Sequence, residues 1–228
     1  MSSRKFLIDP FNPQPELVLE AAESIKKGGI VLFPTKCLYG LGADVFNPDA
    51  VDRVFKIKQR PYNKPISVLV KDINELRILV KHVPPTAKCI MDNFWPGQIT
   101  IVFEAKSTIS VKITAGTGKI GIRMPEHPVA LSLVKEVNSP ITGTSANISG
   151  KVGCSAISDL DVQIADKIDM ILDAGPLKGG AGSTVIDVTT PFPTILREGY
   201  VSAKDIITAL EKSNFMLITN DMTAIHSK

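Results

Sequence analysis

Three cations stand close together in the segment Lys58-Gln59-Arg60-Pro61-Tyr62-Asn63-Lys64-Pro65. The two prolines restrict the backbone, so the cations are presented from a stiff loop. Arginine offers a bidentate fork and lysine a point charge, which together suit a phosphate or a carboxylate. Basic residues at the end of a helix also offset the helix dipole. The segment alone therefore leaves two interpretations open, an anion site and a helix terminus.

Uncharged hydrogen-bonding groups form two further candidate segments, Thr144-Ser145-Ala146-Asn147-Ile148-Ser149-Gly150 and Gly182-Ser183-Thr184. Hydroxyl and amide groups can bind a polar or anionic ligand without adding charge. Their commoner use is in turns and helix caps, so this alternative stays open. Arg123 ends an apolar stretch and needs a partner, either a protein carboxylate or an anionic ligand.

The signatures of several large enzyme classes are absent from the sequence. No GxxxxGK[ST] loop is present, which argues against a P-loop NTPase. Gly40-Leu41-Gly42 lacks the third glycine of a dinucleotide-binding fingerprint, because position 45 is Val. The GxSxG elbow of a serine nucleophile is absent as well.

The cysteines and histidines form no metal-binding or disulfide pattern. The three cysteines include no CxxC pair, and the three histidines form no HxxxH pair. We therefore expect no metal site built from the protein and no disulfide framework. Cys37 beside Lys36 is either a thiol of low pKa or, as we favour, a buried and unreactive one.

Composition bounds the class of protein. The chain has 228 residues, of which 44% are hydrophobic, and a net charge of +3. This charge permits an anionic substrate or RNA but does not require one. The N-terminus lacks an apolar signal core, and no apolar run approaches the roughly 20 residues of a membrane span. We expect a cytoplasmic protein with no membrane contact.

Periodicity and turn residues predict alternating helices and strands in one α/β domain with a mixed, twisted sheet. Helices are expected at 16–27, 49–58, 72–80, 86–93, 128–137 and 203–211. Strands are expected at 30–33, 66–70, 99–104, 120–124, 141–144, 170–173, 185–188 and 194–197, with a Gly-containing loop at 35–44. We assign 1–212 to the domain and 213–228 to a C-terminal tail, in which 215–219 is either a short strand or loose.

Six segments taken in order resemble the YrdC/TsaC family of L-threonylcarbamoyladenylate synthases. They are Phe33-Pro34-Thr35 with Tyr39-Gly40-Leu41-Gly42; Lys58-x-Arg60-Pro61 with Lys64-Pro65-Ile66-x-Val68; Trp95-Pro96-Gly97-x-x-Thr100; Gly121-x-Arg123-x-Pro125 with His127-Pro128; Thr144-Ser145-Ala146-Asn147-x-Ser149-Gly150; and Ser183-Thr184-Val185 with Leu196-Arg197-x-Gly199. The resemblance implies a twisted mixed sheet with flanking helices around a large, positively charged concave cavity.

The activity implied by the resemblance is condensation of ATP, L-threonine and bicarbonate to threonylcarbamoyl-AMP and pyrophosphate, with Mg²⁺ carried on the ATP phosphates. A partner of TsaD/Kae1 type would then modify tRNA, and weak tRNA binding by this chain is compatible with that role. Carried over onto matching positions, the catalytic set is Lys58, Arg60, Ser145 and Asn147. ATP is expected at Lys58, Tyr62, Lys119, Asn147, Ser155 and Arg197. Threonine is expected at Thr35, Arg60, Ser67, Arg123, Thr144, Ser145 and Ser183.

Two departures from the family pattern bear on activity. Lys36 stands where the family usually has an acidic residue, and Ser67 stands where many members have histidine. These departures leave open a YciO-like paralogue with weak or different activity. A non-catalytic RNA-binding module is a further alternative. Longer members carry an additional C-terminal domain, and from the length of this sequence we expect the synthase domain alone.

Overall fold

The structure, a computed structural model, describes residues 4–213 and 215. The strands are β1 (Arg4–Leu7), β2 (Val31–Pro34), β3 (Tyr39–Gly42), β4 (Val68–Leu69), β5 (Ile99–Glu104), β6 (Lys119–Arg123), β7 (Ile141–Thr142), β8 (Thr144–Ser145), β9 (Met170–Asp173), β10 (Thr184–Asp187) and β11 (Thr194–Arg197). The helices are α1 (Pro15–Lys26), α2 (Pro48–Lys58), α3 (Leu76–Leu79), α4 (Pro85–Phe94), α5 (Val111–Thr114), α6 (Pro128–Val137), α7 (Val162–Ala165) and α8 (Ala203–Lys212). Short 3₁₀ turns occupy Ile73–Glu75 and Ile157–Asp159.

Helix α2 shows how local sequence sets the bounds of an element. The side chain of Asn47 accepts hydrogen bonds from the backbone N–H groups of Asp49 and Ala50, both at 3.1 Å. Pro48 fits the first turn because its missing N–H would have no partner there. The helix ends at Lys58, after which Gln59 adopts a left-handed conformation with φ of 48°. The chain therefore changes direction sharply between Lys58, the last residue of the helix, and Arg60.

The strands form two sheets. A five-stranded sheet has the order β1-β9-β2-β3-β8, and a six-stranded sheet has the order β11-β10-β5-β6-β4-β7. Both sheets contain parallel and antiparallel pairs. The α/β prediction with mixed strand directions is confirmed, whereas the single sheet is replaced by two.

Strand β2 contributes to two hydrophobic cores. Val31 and Phe33 pack with α1 and α6, while Leu32 faces the larger core that contains Tyr39 and Leu41. Alternate residues of a strand point to opposite faces, so both faces of β2 are covered. This explains why the sequence here is a continuous apolar run rather than an alternating one.

The chain passes from one sheet to the other at Gly143. Strand β7 before it pairs with β4 in the six-stranded sheet, and β8 after it pairs with β3 in the five-stranded sheet. A Cβ atom on Gly143 would lie 2.5 Å from Cγ of Leu69, so a residue with a side chain would force Leu69 to move. The predicted continuous strand at 141–144 is therefore wrong.

Several other expectations require correction. The predicted loop at 35–44 contains β3, because Gly40 and Gly42 pack beneath the ring of Phe33 despite their low strand propensity. The predicted helix at 72–80 is a 3₁₀ turn followed by α3. β1, α5 and α7 were not predicted. The proposed strand at 215–219 lies almost entirely outside the described residues. Within the described part of the chain, no helix combines the length and apolarity that a membrane crossing requires.

Replacing the capping side chain of α2 should lower stability. We expect Asn47→Ala to lower the free energy of unfolding by about 1 kcal/mol, because two N–H groups lose their acceptor. Urea denaturation monitored by circular dichroism measures this change. Asp49→Ala is the matched control, since Asp49 makes no capping bond and contributes only through the helix dipole. Equal losses in the two variants would contradict the assignment of the cap.

Candidate active site

A cavity of about 210 Å³ opens between the two sheets. Its lining consists of Phe33, Thr35, Cys37, Leu38, Tyr39, Gly40, Arg60, Pro65, Ser67, Gln98, Arg123, Gly143, Thr144, Ser145, Gly182, Ser183 and Arg197. Three of these residues are arginines, and none is an aspartate or a glutamate. The volume is below the roughly 300–1,000 Å³ of sites for drug-sized ligands. The cavity is therefore smaller than expected, and a nucleotide would extend beyond it.

The structure brings together residues that are distant in sequence. All the positions expected to contact threonine line the cavity, namely Thr35, Arg60, Ser67, Arg123, Thr144, Ser145 and Ser183. Arg197, expected near ATP, lines it as well. Whether these side chains bind the expected ligands stays a prediction.

Arg123 lies at the end of β6 and is only 8% exposed. Its Nη1 donates a hydrogen bond to Oε1 of Gln98 at 2.9 Å. The sequence led us to expect a carboxylate or an anionic ligand as partner, and the structure provides a neutral amide. Burial lowers the pKa of Arg123 to about 10, with nearby Glu126 acting in the opposite direction. The guanidinium is therefore charged at neutral pH, and no carboxylate in the described part of the chain bonds it directly.

Backbone carbonyls hold the other two arginines. Arg60 donates from Nε to the carbonyl oxygen of Lys64 at 3.1 Å and from Nη2 to that of Pro65 at 2.7 Å. Nη2 of Arg197 donates to the carbonyl oxygen of Ser183 at 2.8 Å. Burial and then the charge of Arg197 lower the pKa of Arg60. An anion in the cavity would offset both effects.

Hydroxyl groups complete the polar lining. Ser183 is buried, and its Oγ lies 2.7 Å from Oγ1 of Thr100. Thr35 donates its hydroxyl to the carbonyl oxygen of Leu38. The Ser145 hydroxyl donates to Oδ1 of Asn147. Each hydroxyl oxygen keeps acceptor capacity, so the cavity can bind the donors of a ligand as well as its charge.

Lys58 is 1% exposed, does not line the cavity, and contacts the end of β8 and the loop that follows it. Its Nζ donates to the carbonyl oxygens of Ser145 and Asn147, and lies 3.3 Å from Oδ1 of Asn147. The carbonyl oxygen of Lys58 also accepts from the N–H of Ser149 at 2.8 Å. Burial and then Arg60 lower the pKa of Lys58 to about 7. In the protonated form all three ammonium donors have an acceptor, so contact with ATP, which stays a prediction, would require displacing one of these oxygens.

Besides Lys58, four residues expected near ATP are not part of the cavity lining. Tyr62 is exposed, stacks on Phe55 and donates its hydroxyl to Asp52 at 2.7 Å. Lys119 pairs with Asp187 at 2.8 Å at the opposite end of β6 from Arg123, about 13 Å away along the strand. The carbonyl oxygen of Ser155 accepts from the N–H of Leu177. Asn147, the fourth, accepts at Oδ1 a hydrogen bond from the hydroxyl of Ser145, which does line the cavity.

Sequence reasoning missed two functional candidates. Gln98 lines the cavity and Glu126 lies directly behind it, with Nε2 of Gln98 donating to Oε1 of Glu126 at 3.2 Å. Both residues fall inside segments that carried the resemblance, at positions that were treated as variable. For Gln98, the available signal was a polar residue immediately before the apolar strand β5.

The structure assigns partners to Lys36 and Cys37. Lys36 pairs with Glu126 at 3.1 Å and lies over the ring of Tyr200, 4.5 Å from its centroid. Cys37 is buried, and this burial raises the pKa of its thiol. The alternative of a thiol of low pKa is therefore wrong. Among residues 4–213 and 215, no group of three or more His, Cys, Asp or Glu side chains is arranged to hold a metal ion.

Comparison with known proteins identifies the family. The family model described as Sua5/YciO/YrdC, telomere recombination, matches residues 23–199. Threonylcarbamoyl-AMP synthase of Bacillus subtilis is 34% identical over 210 residues, which cover 90% of this chain and 61% of that protein. The uncharacterized protein YciO of Escherichia coli is 30% identical over 207 residues, covering 90% of this chain and all of YciO.

A solved structure extends the comparison to three dimensions. The crystal structure of Pyrococcus abyssi Sua5 complexed with L-threonine superimposes with a TM-score of 0.84 at 32% identity, covering 93% of this chain and 62% of that one. The fold and the sequence define a protein of the Sua5/YciO/YrdC class, and this chain belongs to that family. The chain spans about three fifths of the length of the B. subtilis and P. abyssi relatives.

Removing the Lys58 ammonium should destabilise the protein. We expect Lys58→Met, which keeps the length of the side chain, to lower the free energy of unfolding by about 1–3 kcal/mol, because buried oxygens lose their donor. Urea denaturation measures the change. Lys56→Met is the control on the same helix, since Lys56 is exposed and pairs with Asp52 at the surface, and should change stability by less than about 0.5 kcal/mol. A Lys58→Met variant as stable as the control would contradict the role assigned to Lys58.

Proposed function

We propose that the chain is an L-threonylcarbamoyladenylate synthase that condenses ATP, L-threonine and bicarbonate. The observation that carries the proposal is the cavity itself, in which three arginines and several hydroxyls meet without a carboxylate. Such a lining suits a ligand with a carboxylate, a hydroxyl and phosphates. The relationship to the B. subtilis synthase and to the threonine complex of P. abyssi Sua5 supports the choice of substrates.

The proposed chemistry has two steps. Bicarbonate and the threonine amine first form a carbamate and release water. A carbamate oxygen then attacks the α-phosphorus of ATP, so that threonylcarbamoyl-AMP forms and pyrophosphate leaves. No protein nucleophile is needed, because phosphoryl transfer depends mainly on positioning and charge stabilisation.

We assign roles by position around the cavity. Arg123 holds the threonine carboxylate, and the hydroxyls of Thr35 and Ser183 bind the threonine hydroxyl, with Ser67 and Thr144 completing this end. Arg60 and Arg197 stabilise negative charge between threonine and the phosphates. Ser145 and Asn147 orient the reacting groups, and Lys58 holds their loop. Mg²⁺ enters with the ATP phosphates, whose oxygens bind it.

The product is a reactive adenylate, which implies a partner that consumes it. We propose a TsaD/Kae1-type protein that transfers the threonylcarbamoyl group to tRNA in the cytoplasm, where ATP and tRNA are available. Weak tRNA binding by this chain would assist that transfer.

The direct test is to incubate the protein with ATP, Mg²⁺, labelled bicarbonate and L-threonine and to isolate the labelled adenylate. We expect labelled adenylate to form, together with an equal amount of unlabelled pyrophosphate. Binding of ATP without any labelled product would favour a YciO-like protein of different activity. Salt-sensitive RNA binding without ATP binding would favour an RNA-binding module.

The cavity should select threonine through its hydroxyl. A site built to bond a hydroxyl rejects analogues that lack it far better than an apolar pocket rejects a change in size. Valine and 2-aminobutyrate should therefore release little pyrophosphate. Serine lacks only the methyl group and should be disfavoured by about 1–3 kcal/mol in kcat/KM. Equal pyrophosphate release with threonine, valine and 2-aminobutyrate would contradict this assignment.

Arg60 should be irreplaceable by lysine. We expect Arg60→Lys to lose most adenylate formation, because an ammonium cannot reproduce the guanidinium fork that bonds two carbonyls and faces the cavity. The labelled adenylate assay measures this loss. Arg53→Lys is the matched control, since Arg53 pairs with Asp169 away from the cavity. Near-normal activity of Arg60→Lys would remove Arg60 from the proposed machinery.

A further inference from the structure

Among the three arginines of the cavity, Arg123 differs from Arg60 and Arg197 because its acceptor within the described residues is a side-chain amide oxygen rather than a backbone carbonyl. A guanidinium has five N–H donors. The bond from Nη1 to Gln98 occupies one of them. Since Arg123 also lines the cavity, its remaining donors are available to a ligand. The position of Gln98, which bonds the guanidinium, therefore determines the orientation in which Arg123 is presented to that ligand.

The orientation of the Gln98 amide is set by Glu126, which lies on the side of Gln98 away from Arg123. Gln98 is only 5% exposed, and its Nε2 donates to Oε1 of Glu126 at 3.2 Å. An ionised carboxylate only accepts hydrogen bonds, so the NH₂ group must face Glu126. The amide oxygen must then face Arg123. A flipped amide would place two donor groups against each other and a carbonyl oxygen against a carboxylate.

Lys36 supplies the counter-charge of Glu126. Its Nζ lies 3.1 Å from Oε1 and 3.2 Å from Oε2 of that carboxylate. It also lies over the ring of Tyr200, which ties this end of the network to the segment after β11. Arg123, Gln98, Glu126 and Lys36 thus form a continuous chain of contacts from the interior of the cavity to its rim, which we call the Arg123 network.

The order of groups in the Arg123 network has a chemical consequence. A carboxylate bonded directly to Arg123 would occupy the bidentate face of the guanidinium and compete with the carboxylate of a substrate. The amide of Gln98 accepts one hydrogen bond without neutralising the charge. Glu126 bonds that amide rather than Arg123, to which it adds only a longer-range attraction, and its own charge is paired with Lys36.

We propose that Gln98 and Glu126 are positioning residues for the amino-acid substrate, which hold Arg123 in place while leaving its charge and its free donors to the substrate carboxylate. The inference rests on the proposed function, in which Arg123 binds the carboxylate of threonine. It adds two residues outside the Lys58, Arg60, Ser145 and Asn147 set and gives Lys36 a role in supporting them.

The decisive variant exchanges the two groups, Gln98→Glu combined with Glu126→Gln. This variant keeps the net charge, the side-chain sizes and a hydrogen-bonded chain, but it places the carboxylate directly against Arg123. We expect the Kd for L-threonine, measured by titration calorimetry, to rise about tenfold or more. The Kd for ATP and the melting temperature should stay close to those of the wild type. Glu126→Gln alone should weaken threonine binding less, because the Gln98 amide keeps an acceptor but loses its fixed orientation.

Glu104→Gln is the matched control, since Glu104 pairs with Lys81 at 3.5 Å, away from the cavity. It should leave threonine binding unchanged. The proposal is overturned if the exchanged variant binds threonine as tightly as the wild type, whether or not its melting temperature falls. In that case the two residues only stabilise the fold. Failure of the wild type to bind threonine would instead overturn the proposed function, and this inference with it.

Discussion

The close packing of Gly143 on Leu69 is the constraint on which the rest of the site depends. Gly143 has no side chain to clash with Leu69, so its backbone lies close to that residue at the point where the chain leaves the six-stranded sheet after β7 and joins the five-stranded sheet as β8. The cavity is the space between the two sheets at this crossing. Lys58 then fixes the chain beyond the crossing by bonding the carbonyl oxygens of Ser145 and Asn147.

The cations around the cavity are satisfied differently from those elsewhere. Arg60 and Arg197 bond backbone carbonyls, and Arg123 bonds an amide. By contrast, Lys119 and Lys112 bond the carboxylates of Asp187 and Asp52 directly. Neutral acceptors fix the position of a cation but leave its charge uncompensated. Among the described residues, the three arginines that line the cavity thus have neutral groups as their hydrogen-bond acceptors.

The Arg123 network shows how a carboxylate can support such a site without entering it. Glu126 is separated from Arg123 by one amide, and its own charge is paired with Lys36. Lys36, which departs from the family pattern, therefore belongs to the electrostatic balance of the cavity. The contact of Lys36 with Tyr200 connects this balance to the segment that follows β11.

Local sequence determined the helices and strands whose apolar residues recur with the period of that element. Examples are β5, α6, β9 and β11, which lie where they were predicted. The six ordered motifs also pointed to seven positions for threonine, and all seven line the cavity.

Other features depended on contacts between distant residues. The glycines of β3 indicated a loop, but Phe33 packs over them in a strand. The run 141–144 read as one strand, yet it is divided between two sheets. Likewise, the acceptors of Lys58 and Arg123 come from loops that only folding brings near. The sequence by itself determined local periods and the types of chemical group. Tertiary structure decided strand partners, burial and the counter-group of each charge, because these depend on atoms far apart along the chain.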